Sequence, residues 1–175
     1  IRDRVIKRCL CEYSLLPRIN KYLIHDNGAS LKNKGISFSR NRLDTHLRKY
    51  YKQNDTNEGY ILLIDFSKYF DNIRHKYFID IFKDIGIDDT SLWVLEEIIK
   101  KSRVDVSYMC DEDYLDCMNI LFDSLKYQNV DSRLLTEEKF MDKHLNIGDH
   151  VAQIAGIAYP IKFDNYIKIV KSVKF

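Results

Sequence analysis

A chain of 175 residues with 45% hydrophobic side chains can bury one substantial core, which excludes a disordered polypeptide. Charged residues make up 31% of it, yet 28 Lys and Arg nearly cancel 26 Asp and Glu, leaving +2, so any basic surface for a nucleic acid has to be local. No apolar run approaches the roughly 18 residues of a membrane span, and the 4 cysteines lack the paired spacing of a zinc site or the density of a disulfide scaffold.

The first ten residues carry Arg2, Asp3, Arg4, Lys7 and Arg8, too much charge for a secretory segment. The chain is expected to be an excised piece of a longer, soluble, cytoplasmic polypeptide with reduced thiols. Residues 3 to 23 read as a helix with Val5, Ile6, Cys9, Leu10 and Tyr13 on its apolar face and a kink at Pro17. Turn chemistry follows at His25-Asp26-Asn27-Gly28, then a basic, glycine-punctuated loop from Leu31 to Gly35. Ser37 or Ser39 caps the next helix, with Phe38, Leu43, Leu47 and Tyr50 inward and Arg40, Arg42, Arg48, Lys49 and Lys52 on a face that is ordinarily just solvated.

Tyr60-Ile61-Leu62-Leu63-Ile64 is a short, continuous apolar run that predicts a buried strand, with Asp65 at its end. An unpaired carboxylate there costs several kcal/mol, roughly, so a partner is expected: a Lys or Arg, a set of N–H donors, or a metal ion. Helices are predicted at about 74 to 85 and 89 to 103, separated by Gly86, with Asp88 or Asp89 as the second N-cap. From Val104 to Leu145 the signals are mixed: an acidic turn at Asp111-Glu112-Asp113, a helix-like Tyr114 to Leu125, and a polar connection. Asn146 to Asp149 reads as a loop and N-cap before a helix from Val151 to Val170, bent at Pro160, and Ser172 to Phe175 as the start of a strand.

The run Ile64-Asp65-Phe66-Ser67-Lys68-Tyr69-Phe70-Asp71-Asn72-Ile73 resembles the first catalytic motif of bacterial-type reverse transcriptases, the group that includes group II intron, retron and diversity-generating or phage enzymes. Around it, in the family's order, lie Asp3-Arg4-Val5-Ile6, Gly28 to Gly35, the basic helix Arg42 to Tyr51, and Ile147-Gly148-Asp149-His150-Val151-Ala152-Gln153. The resemblance implies an α+β fold, fingers and a partial palm, with helices packed on a small antiparallel sheet. Fingers would span 1–58, palm 59–103, fingers or an insertion 104–147, and palm again 148–175, ending before the family's Tyr-x-Asp-Asp hairpin.

It also implies an RNA-directed DNA polymerase acting on an RNA template, a DNA primer and deoxynucleoside triphosphates. Asp65 and the carbonyl of Phe66 would bind Mg²⁺, with two ions about 4 Å apart in the complete enzyme. Phe70 would be the aromatic gate against the ribose 2′-OH, and Ser67, Gly148 and Gln153 would line the nucleotide. Lys32, Lys34, Arg40 and Arg42 would meet template phosphates. Val151 and Ala152 replace a small-hydroxyl pair more usual in the family. A single aspartate cannot hold two ions, so the 175-residue chain alone is expected to be inactive. The competing expectations are a non-catalytic RNA-binding module, a template-independent or RNA-templated nucleotidyltransferase with a related palm, and an orphan α+β domain whose resemblance is remote, which a structure without an antiparallel palm sheet would select.

Overall fold

The computed structural model describes residues 2–118 and 138–170. It opens with a continuous helical stretch: α1 (Arg2–Cys9), a π-helical turn (Leu10–Leu15) and α2 (Leu16–Ile19). Pro17 explains the wide turn. Proline lacks an N–H and crowds the carbonyl one turn back, and a π-turn relaxes that crowding with one extra residue. The extra residue also rotates the buried face. Leu10, Cys11, Leu15 and Ile19 point into the core, whereas Val5, Ile6 and Tyr13, expected inside, are 55%, 52% and 80% exposed.

Helix α3 (Ile36–Asn54) starts at Gly35 without a side-chain cap, so neither Ser37 nor Ser39 plays that part. None of its 19 residues is buried. Its inward side is Phe38, Arg42 and His46, spaced four apart, while Leu43, Leu47 and Tyr50 are exposed. The contact that seats this helix is polar, which the apolar spacing did not disclose.

The expected strand at Tyr60–Ile64 does not form, and the α+β expectation of helices on an antiparallel sheet is corrected accordingly: among the described residues the fold is helical, without strand or sheet. Only isolated antiparallel bridges occur, Arg74 with Lys143 and Asp105 with Phe140. Exposure runs from 53% at Ile64 to 107% at Tyr60. A strand is stabilised by a neighbour that takes its N–H and C=O groups, and among the described residues none lies alongside.

The helix pair after it matches the sequence pattern. Helix α4 (His75–Asp84) and helix α5 (Asp89–Lys101) are joined through Gly86 at φ 71, the left-handed conformation that glycine adopts at low cost. The Asp88 carboxylate caps α5 by accepting from the Ser91 N–H at 2.9 Å. Phe78, Phe82, Leu95 and Ile99, all at most 1% exposed, join Leu15, Ile19 and Ile73 in the main core.

Helix α6 (Asp111–Cys117) takes the acidic Asp111-Glu112-Asp113 as its first turn, where carboxylates meet the positive end of the helix dipole. Val106, Tyr114, Leu115 and Met118 form a second, small cluster. The expected continuation of that helix to Leu125, and the strand from Ser172, fall wholly or partly outside the described residues.

Helix α7 (His150–Ala158) is capped by Asp149, whose carboxylate accepts from Val151 N–H at 3.2 Å, and it is buried along most of its length. Helix α8 (Ile161–Asn165), after Pro160, and a π-helical turn (Tyr166–Val170) complete the chain as described. Among the described residues no helix is long and apolar enough to cross a membrane.

Candidate functional site

The segment after Ile64 turns back onto α7 and α8. Lys68 adopts φ 46, and a short 3₁₀ turn follows at Phe70–Asn72. The Asn72 amide donates to the Ser67 carbonyl at 3.1 Å, closing the loop. Tyr69 and Phe70 are thereby aimed at the small residues of α7. The Tyr69 hydroxyl donates to the Gly156 carbonyl at 3.1 Å, and a Cβ placed on Gly156 would sit 3.5 Å from the Phe70 ring. Burial pushes the Tyr69 phenol above its ordinary range, with Asp164 and Tyr159 adding to the effect, so the hydroxyl remains a donor.

Helix α7 is held in turn by the first helix, through the ion pair of Lys7 with the capping Asp149. The motif-like stretch around Asp65 is thereby seated on α7, the helix that follows the stretch around Gly148, and the first helix is tied to the start of α7. Gly148 stands at φ 95 in the turn before the cap. Gln153 lies on the exposed side of α7, whereas Val151 and Ala152 are buried and cannot touch a ligand.

Asp65, Phe66 and Ser67 are exposed. The Phe66 ring lies 5.5 Å from Tyr69 and 5.9 Å, edge-on, from Phe163. With Tyr77, Tyr159, Pro160 and Lys162 these rings line a cleft of about 290 Å³. Asp164, half-buried nearby, has its carboxyl pushed above the usual carboxylate range by burial.

No group of three or more His, Cys, Asp or Glu side chains that could hold a metal occurs among the described residues. Asp65 is an exposed single carboxylate, a donor set that could serve at most one Mg²⁺, an ion that keeps several waters and takes one or two protein carboxylates.

The four basic candidates divide. Lys32 and Arg40 are exposed. Lys34 donates to the His25 carbonyl at 2.7 Å and lies 4.9 Å from the Phe38 ring centre. Arg42 is paired with Asp26. That aspartate, read in the sequence only as part of a turn, gathers Arg42, Lys168, His46 at 3.1 Å and His25 at 3.4 Å. Partial burial would raise its carboxyl, but the hydrogen bonds from Lys168, Arg42, His25 and His46 outweigh it and hold the group well below the usual range. It ties the loop at 24–30, α3 and the last turn together, 142 residues apart at the extreme. Nothing in local spacing could have announced it.

The comparisons with protein-family models, with curated proteins and with solved structures find no match for this chain.

Proposed function

We propose that this chain is part of an RNA-directed DNA polymerase, with Asp65 as a magnesium ligand and Phe70 as the residue that meets the sugar of the incoming nucleotide. The observation that carries the reading is the meeting of Phe70 and Tyr69 with Gly156, which seats the Asp65 segment, across 87 residues, on the helix that the second motif-like segment begins. A bound magnesium ion would neutralise triphosphate charge during in-line transfer. The chain's own part is to present the Asp65 carboxylate in solvent reach, to set the Phe70 ring beside α7, and to hold α7 through Lys7 and Asp149.

Manganese in place of magnesium tests this directly. With a deoxynucleoside triphosphate present, it should broaden the backbone NMR signals of Asp65 to Ser67, and Asp65→Asn should abolish the effect. Equal broadening in the variant rejects the reading. Primer extension on an RNA template by the 175-residue chain should not exceed that of Asp65→Ala, because one carboxylate cannot hold two ions.

A second reading, a non-catalytic RNA-binding module, is favoured by α3. Its exposed side carries Arg40, Arg48, Lys49 and Lys52 with Tyr51, 48% exposed, among them. Aromatic and basic side chains on one exposed helix suit a sequence-tolerant grip on single strands. RNA affinity that falls steeply with salt and is indifferent to Asp65→Asn selects this reading over the first.

A further inference from the structure

The segment that carries Phe70 is fastened to residues 142–146 by a run of hydrogen bonds. The Leu145 N–H donates to the Phe70 carbonyl at 3.0 Å, and the His144 N–H to the Ile73 carbonyl at 3.2 Å. The His75 N–H donates to the Asp142 carbonyl at 2.8 Å. His144 is held at φ 90, a left-handed backbone that a side chain with a Cβ adopts only at a cost. Its ring is fixed on both sides, Nδ1 to Asp71 at 3.0 Å and Nε2 to Asn146 at 3.2 Å.

Beneath this strap lies His75, 2% exposed. Its Nε2 sits 2.7 Å from the His144 carbonyl, which can only accept, so Nε2 carries the proton. Its Nδ1 is buried with no hydrogen-bond partner among the described residues. A second proton would therefore be placed on a buried nitrogen with nothing to receive it, and the cost can be relieved only by opening the strap to water.

We propose that His75 is a positioning residue: its neutral imidazole fastens the 142–146 strap to residues 70–75, sets Phe70 beside Gly156, and releases both when it becomes protonated. Burial opposes the protonated form most strongly; the hydrogen bond to the His144 carbonyl and the charge of Asp142 favour it, while Arg103, just after α5, and the His144 ring oppose it. The balance holds the imidazole below its ordinary 6.5. Opening thus gains nothing above that value. Below it, the opened imidazole takes up a proton that the closed one refuses, so opening is favoured by about tenfold per pH unit until the closed form titrates too.

The consequence for Phe70 as a sugar gate rests on the polymerase reading, but the strap itself does not. Amide hydrogen exchange on the full 175-residue chain separates the two, since it needs no catalysis. Corrected for intrinsic rates, protection of the Leu145 amide should fall severalfold, by up to about fivefold, between pH 6.5 and 5.5, while Phe82 and Leu95 in the core keep theirs. The Gly156 α-proton shift, set by the Phe70 ring, should move in parallel. His75→Gln, which keeps an N–H donor and cannot titrate, should retain protection and lose the pH dependence, and His75→Leu should lose protection at both pH values.

A flat wild-type profile overturns the proposal, as does a loss of protection shared with Phe82 and Leu95. A His75→Gln profile identical to wild type overturns it as well, by assigning the titration to His144 or Asp142. Should His75→Leu not fold, the comparison of His75→Gln with wild type decides alone. A flat profile leaves the manganese experiment at Asp65 untouched, and the reverse holds too.

Discussion

Two apolar regions of this protein meet opposite fates. The residues Phe78, Ile81 and Phe82 of α4 are buried at the centre, whereas Tyr60 to Ile64, at least as apolar, lie open to solvent. The difference is in the backbone. A helix pairs its own N–H and C=O groups and needs a neighbour only for its side chains, which α5, α7 and the first helix supply. An extended segment needs a neighbour for both, and among the described residues it has none. Hydrophobicity selects what is worth burying, and hydrogen bonding decides what can be.

The sharpest test of that contrast is a pair of truncations read by urea unfolding. Phe82→Ala should cost about 3 to 5 kcal/mol, and Leu62→Ala less than about 0.5 kcal/mol. A comparable loss at Leu62 would break the comparison, because it would mean that the run is packed in solution.

The next effect concerns the polar seat of α3. Asp26→Asn removes the charge on which Arg42 and Lys168 converge, and should cost roughly 2 kcal/mol, as hydrogen bonds to charged groups do. Because the carboxyl is held below its ordinary 3.8 in the folded chain, the unfolded chain takes up the proton first. The stabilisation is complete above that value and fades as the pH falls below it. The acid slope of stability should be shallower in Asp26→Asn, and an unchanged slope would remove Asp26 from the account.

Smaller again is the cap of α5, where Asp88→Ala should lower the urea midpoint and leave the slope unchanged. The least effect on stability, and the clearest on reactivity, is expected at cysteine. Burial, with Asp149 and Glu12 adding, pushes the Cys11 thiol up to about 12, while Cys9 and Cys110 are exposed. Mass spectrometry after brief alkylation at pH 8 should find Cys9 and Cys110 modified and Cys11 intact. Early labelling of Cys11 would show that the π-helical turn opens readily.

Much of the helical frame was legible because its signals are local. Gly86 and Asp88 mark the break between α4 and α5 by backbone preference and capping, and Asp149 and Pro160 delimit α7 in the same way. The face of the first helix was misjudged because a π-turn shifts the periodicity that such a judgement assumes. Of the candidate site, the placement of Phe70 against Gly156 of α7 was not read from the sequence, because it joins residues far apart in the chain. The pairing of Arg42 with Asp26 was not foreseen, since it joins residues from a turn and a helix whose separation in sequence carries no period.

The amino-acid sequence by itself determined the α4–α5 pair with its Gly86 break and its Asp88 cap, the Asp149 start of α7, and the order in which the motif-like segments succeed one another. Only the tertiary structure decided which faces turn inward, that Asp26 gathers four basic side chains, that His75 lies sealed beneath a strap, and that Tyr60–Ile64 stays open. The physical reason is range: caps and turns are settled by atoms a few residues apart, whereas burial, ion pairing and strand formation require partners that only the folded chain brings together.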